Sequence, residues 1–246
     1  MQSGVCFLYI CIHIYPPWLR NTKVDPSNAE GFSFEETTME KTKQRVIVYV
    51  DGFNFYFGLR ARKWRKYYWL DIVRFFEVQM KNHQELVEVN YFSAVPLQPG
   101  KADRQDLLFT ANKLNPKFKL HLGKYLKKDF KCPYCHQNIH SFEEKETDVR
   151  IATKMISDVV QNRCDITLLL SADSDLVPPI ELIREFNPRH KIIVYFPPHR
   201  HSTNLQSICN AHKVLGGAYQ IFDKAILPET IKLTDGYEIS RPKNWK

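Results

Sequence analysis

The sequence lacks several things that would place it quickly. No stretch reaches the ~18 consecutive apolar residues that a membrane-spanning helix needs, and the nearest approach, residues 5–15, is too short. That run has no Lys or Arg before it, so it also fits a secretory signal poorly. Glycine is scarce, 9 in 246 residues, which excludes a collagen-like chain. The glycines never fall into G-x-x-x-x-G-K-[ST], G-x-G-x-x-G or G-x-S-x-G, so no P-loop, dinucleotide fingerprint or nucleophile elbow is present. Cysteine is also sparse. Of the six, only Cys132 and Cys135 form a tight pair, which is no disulfide framework and suits a reducing, cytoplasmic setting. Cys164 and Cys209 lie beside apolar segments and read as buried thiols.

What is present is an ordinary globular composition with a basic balance. Apolar residues make up 43%, enough for a sizeable core. Lys and Arg number 35 against 27 Asp and Glu, a formal charge of +8, which permits a polyanionic partner without naming one. The charge is unevenly spread. Residues 1–38 hold two basic and four acidic side chains, so the remainder carries +10. The first 38 residues have no clear period and read as a flexible or non-native leader, with Met39 a possible true start.

Beyond Arg45 strands and helices alternate. Strands are expected at 46–50, 86–95, 118–126, 166–170 and 191–196. Helices are expected at 53–62, 71–80, 101–113, 143–161, 176–186 and 204–210. Continuous apolar strands alternating with helices imply a parallel sheet covered on both faces. In such sheets the functional crevice lies beyond the carboxyl ends of the strands. Asp51-Gly52-Phe53-Asn54 follows the first strand, and Ser171-Ala172-Asp173-Ser174-Asp175 follows the fourth. One aspartate in such a place is commonly a helix cap. Several at one sheet edge repel each other unless a cation neutralises them, and oxygen donors select a hard divalent ion, Mg²⁺ or Mn²⁺. Asp148, near the start of the 143–161 helix, is a fourth candidate.

These three motifs, in this order and setting, resemble NYN-domain proteins, which are PIN-like nucleases. The LabA-like branch looks most similar, because Leu227-Pro228, Asp235-Gly236, Arg241-Pro242 and Trp245 also resemble it. The resemblance implies an α/β fold: a single-domain, three-layer α/β/α sandwich with a mostly parallel central sheet. It implies a nuclease domain over 39–226 and a C-terminal tail, 227–246, packed on it. It also implies metal-dependent cleavage of RNA, single-stranded or structured, with Asp51, Asp148, Asp173 and Asp175 on the metal and Asn54 orienting a water or a phosphate oxygen. One departure is that Glu146-Thr147 precedes Asp148 where a small residue is expected. A regulatory protein of the same fold that binds nucleic acid without cutting it is the alternative. A pure polyanion binder, however, gains nothing from clustered carboxylates.

Candidate substrate contacts are Arg62, Lys63 and Arg65, interleaved with Tyr67, Tyr68 and Trp69. Arg104 and Lys124 join them. Basic residues among aromatics suit phosphate contact with base stacking, although the same aromatics could tuck into the core. Cys132-Pro133-Tyr134-Cys135, within an insertion near 127–142, has half the spacing of a structural Zn²⁺ site. His140 would be its third ligand and His136 or His121 its fourth. A reduced thiol pair in a turn and a redox pair are the other readings.

Overall fold

The fold comes from a computed structural model, which describes residues 42–94, 100–131, 133–135 and 137–245. The leader expected at 1–38 lies outside them. Strand β1 (Gln44–Asp51) is buried from Val46 onward. It runs without a loop into helix α1 (Gly52–Ala61), and α2 (Ile72–Glu77) follows. Next come β2 (Gln84–Ala94), α3 (Lys101–Lys113), β3 (Phe118–Lys131) and β4 (Asn138–Lys145). The second half holds α4 (Thr147–Val160), β5 (Ile166–Leu170), α5 (Val177–Phe186), β6 (Lys191–Phe196), α6 (Thr203–Ile208) and β7 (Ala211–Val214). Helix α7 (Tyr219–Asp223) and a small hairpin, β8 (Thr230–Lys232) with β9 (Glu238–Ser240), close the chain.

The main sheet runs β4-β3-β2-β1-β5-β6-β7. Six strands are parallel, and β4 alone pairs antiparallel, with β3. Alternation along β1 builds two cores. Val46, Val48 and Val50 face Phe55, Phe75, Phe76 and Phe222. Ile47 and Tyr49 face Ile151, Met155, Ile180 and Leu205. Helices therefore cover both faces, and the architecture is the expected α/β sandwich. Because β2 lies on one side of β1 and β5 on the other, strand order reverses there. That is the topological position at which α/β sheets open a crevice.

The long helix begins four residues later than the 143–161 expectation. Residues 143–145 instead pair with 124–126 across the β3–β4 hairpin, so their charged pattern belongs to an extended arm. The short edge strand β7 escaped notice because Ala-His-Lys-Val has no apolar run. Among the aromatics after Arg65, Tyr67 and Trp69 are fully buried, which removes them as stacking platforms. The Trp69 indole donates to Pro228 O at 2.7 Å. Arg241 donates to Lys66 O at 2.9 Å, and Leu70 bridges Ile226. Among the described residues no helix is long and apolar enough to cross a membrane.

Candidate metal centre

Asp51 is the last residue of β1 and the N-cap of α1. Its Oδ1 accepts from the Asn54 backbone N–H at 2.9 Å. Its Oδ2 accepts from Asn54 Nδ2 at 2.5 Å and from Ser171 Oγ at 2.8 Å. Gly52 makes this turn possible: a Cβ there would lie 2.5 Å from Phe92 O and 2.8 Å from the Tyr91 ring. Asp173 follows β5 and caps the turn after it, its Oδ1 accepting from Asp175 N–H at 3.0 Å. Ser171 Oγ accepts from Asp173 N–H at 3.0 Å. One buried hydroxyl thus ties the end of β1 to the loop after β5. Asp148 is the second residue of α4, where the helix dipole favours a carboxylate.

Carboxylate oxygens of Asp51, Asp148 and Asp173 all lie within 4.8 Å of one another. Asp175 is exposed and stands outside this group, although its charge still acts on Asp148. Burial raises the Asp51 carboxyl, and the Asn54 and Ser171 hydrogen bonds only partly restrain it. Asp148 is pushed up to about 6 by partial burial and by the charges of Asp51, Asp173 and Asp175. Three hard oxygen donors that disfavour one another's ionisation fit a hard divalent cation, which reverses that repulsion.

The sequence departure before Asp148 has a structural consequence. Glu146 sits at φ 77°, in the left-handed region that favours glycine. Its carboxylate pairs with Arg150 at 2.7 Å and with Lys124 at 3.5 Å. Lys124 is therefore held at the start of α4. Arg62 is committed elsewhere, donating to Gly216 O at 2.7 Å and lying over Trp64. Lys63 and Arg65 are exposed, and Arg104 lines a cleft beside α1. Cys135 is an exposed free thiol. Cys132, His136 and the His140 side chain lie outside the described residues, and so does the Zn²⁺ expectation that rests on them. His121 is engaged elsewhere, with Nε2 2.7 Å from Asn90 Oδ1 and its ring stacked on Phe92.

Two residues were not singled out from sequence. Ser171 stands in the motif after the fourth strand, where nothing in the sequence assigned it a role of its own. Arg200 donates to Asn54 Oδ1 at 3.1 Å, and its guanidinium lies 5.7 Å from the Phe57 ring. Gly58 lets its loop approach, since a Cβ there would meet Pro198 O at 2.7 Å. In the same loop His201 pairs with Gln206 at 2.6 Å.

With this geometry in hand, comparison with known proteins decides the family: residues 45–215 match the NYN domain. The chain belongs to the NYN domain family. Its sandwich is accordingly that of a PIN-like NYN domain, with an acidic triad at the strand-order reversal. The chain is also similar to the 6-hydroxy-3-succinoylpyridine 3-monooxygenase HspA of Pseudomonas putida, at 23% identity over 68% of this chain. The match spans 65% of that relative's length. Among solved structures it is similar to a protein of unknown function from Vibrio parahaemolyticus. That likeness has 18% identity and a TM-score of 0.49, covering 75% of this chain and 97% of that one.

Proposed function

We propose that this NYN domain is a metal-dependent ribonuclease of the LabA-like branch, cutting RNA phosphodiester bonds. The observation that carries the reading is the convergence of Asp51, Asp148 and Asp173 at the β1/β5 reversal. These three would hold Mg²⁺ or Mn²⁺, with Asp175 beside them. When bound, such an ion polarises the phosphoryl oxygen and lowers the pKa of a coordinated water. The chain's own residues supply position. Ser171 and Asn54 together give Asp51 three hydrogen bonds, which leave its carboxylate little freedom. Asn54 spends its amide on Asp51 and Arg200, so its part is to orient those two groups rather than water or phosphate directly. Arg200 has further N–H groups to offer an anionic phosphate. The excess positive charge outside the acidic crevice provides the track for the strand.

Incubating the protein with single-stranded RNA, structured RNA and DNA, with Mg²⁺ or Mn²⁺ and with chelator, tests this. Wild type should cut RNA only with metal, and Asp173→Asn should be inactive while keeping its fold by circular dichroism. Binding without cleavage under every metal condition would favour the non-catalytic alternative.

A further inference from the structure

An aromatic cleft of about 240 Å³ opens one residue beyond Asp51. Gly52 and Phe53 form its near wall and Tyr91 and Ser93 its sheet side, with Tyr68 and Trp245 further out. Gly52, the residue after Asp51, lies so close to the Tyr91 ring that a Cβ there would stand 2.8 Å from it, so cleft and acidic triad are adjacent. The rings here are packed on one another but not closed over. Tyr56 lies 5.2 Å from Tyr68 and 5.3 Å from Phe57. Tyr56 and Phe57 nevertheless remain 39% exposed on a helix whose other face is core. Three cations, Arg60, Lys101 and Arg104, line the same cleft, and among the described residues no carboxylate does. Gln105 adds an amide to the wall: Nε2 donates to Ser93 Oγ at 2.9 Å, and Oε1 has no partner among the described residues. A buried acceptor left without a donor is unfavourable, and a ring N–H is the kind of group that would satisfy it.

We infer that this cleft is a nucleobase subsite, taking one unstacked base of the strand whose phosphate lies at the acidic triad. Aromatic faces stack on any base, and the three cations suit the flanking phosphates. A base held in a duplex cannot enter without being flipped out of its stack, so the subsite selects single-stranded RNA. This inference rests on the ribonuclease reading for the identity of the strand, but its test does not need cleavage.

The test is equilibrium binding in the Asp173→Asn background, by fluorescence anisotropy. The probes are a labelled single-stranded RNA octamer, the same octamer with abasic sites, its duplex, and a free nucleoside as competitor. Tyr56→Ala and Phe57→Ala alter exposed rings and should leave the fold intact, checked by thermal denaturation. Each should weaken octamer binding roughly 5- to 100-fold while leaving the weaker abasic binding unchanged. Tyr56→Trp should restore affinity. Equal affinity for intact and abasic strands, or no loss in either variant, would overturn the subsite. So would a nucleoside that binds as tightly as the octamer, since the cleft would then serve a free heteroaromatic small molecule. Loss of base-dependent binding in the variants, with no cleavage by wild type, would support the subsite and sink the ribonuclease reading instead.

Discussion

Neutralising Asp148 should stabilise the metal-free protein. Asp148 carries a charge within 4.8 Å of two others, Asp51 and Asp173. At that separation each like-charge pair costs about 0.9 kcal/mol in a water-like medium and about 3.5 at an effective dielectric of 20. Asp148 is open to solvent, so the water-like end applies, and two neighbours give about 2 kcal/mol. Asp148→Asn forfeits part of the helix N-terminal benefit, about 0.3–1 kcal/mol. The net expectation is a gain of about 1 kcal/mol at neutral pH in chelator, roughly 2–4 °C in melting temperature for a chain of this size. Saturating Mn²⁺ should reverse the order. A cation that binds only the folded wild type adds about 2.7 kcal/mol at a hundred times its dissociation constant, and the variant, one ligand short, should gain far less. Differential scanning fluorimetry of both proteins, with EDTA and along a Mn²⁺ titration, measures all four states. Equal melting points in EDTA with equal Mn²⁺ responses would refute the reasoning, because the carboxylates would then neither repel one another nor share an ion.

Ser171→Ala removes the hydroxyl that donates to Asp51 and accepts from Asp173. It should reduce metal affinity or cleavage about 10- to 100-fold, measured as a rightward shift of the Mn²⁺ dependence of the rate. Gly123→Ala places a methyl 2.7 Å from Thr147 Oγ1 and 2.8 Å from Lys145 O. It should cost about 1–3 kcal/mol and, by shifting the start of α4, lower cleavage by about 100-fold. Unchanged kinetics would show that the α4 start does not position Asp148. Glu88 tests the network behind that helix, where Lys154 and Arg163 bridge it and Asp158. Burial raises the Glu88 carboxyl, but the Asn90 hydrogen bond and the two cations bring its pKa below the ordinary value. Its contribution is therefore present above the unfolded carboxyl range near ~4.3 and lost as pH falls through the lower folded value. Glu88→Gln should cost about 1–3 kcal/mol at pH 7, and urea denaturation at about pH 3 should show the gap to wild type closing.

Much of the fold was legible because its signals are local. A strand such as Val46–Val50 is apolar at every position only when both sheet faces are covered, and an aspartate directly after it has one edge to occupy. The α/β class, the strand-end location of Asp51 and Asp173, and the helix that carries Asp148 could all be read from such runs. The β3–β4 hairpin was not legible, because pairing between 124–131 and 138–145 depends on partners outside any short window. For the same reason local pattern left open whether Tyr67 and Trp69 stack on bases or tuck into the core, and both lie in the core.

By itself, then, the sequence determined which residue types stand at the ends of which strands, because hydrophobic periodicity is written in the order of residues. Only the tertiary structure decided that Asp51, Asp148 and Asp173 meet while Asp175 stands aside. Only it linked Ser171 to Asp51 across 120 positions and Arg200 to Asn54 across 146. The physical reason is that strand order, not chain order, sets neighbours in a parallel sheet: β5 joins β1 only after β2, β3 and β4 have been laid on the opposite side.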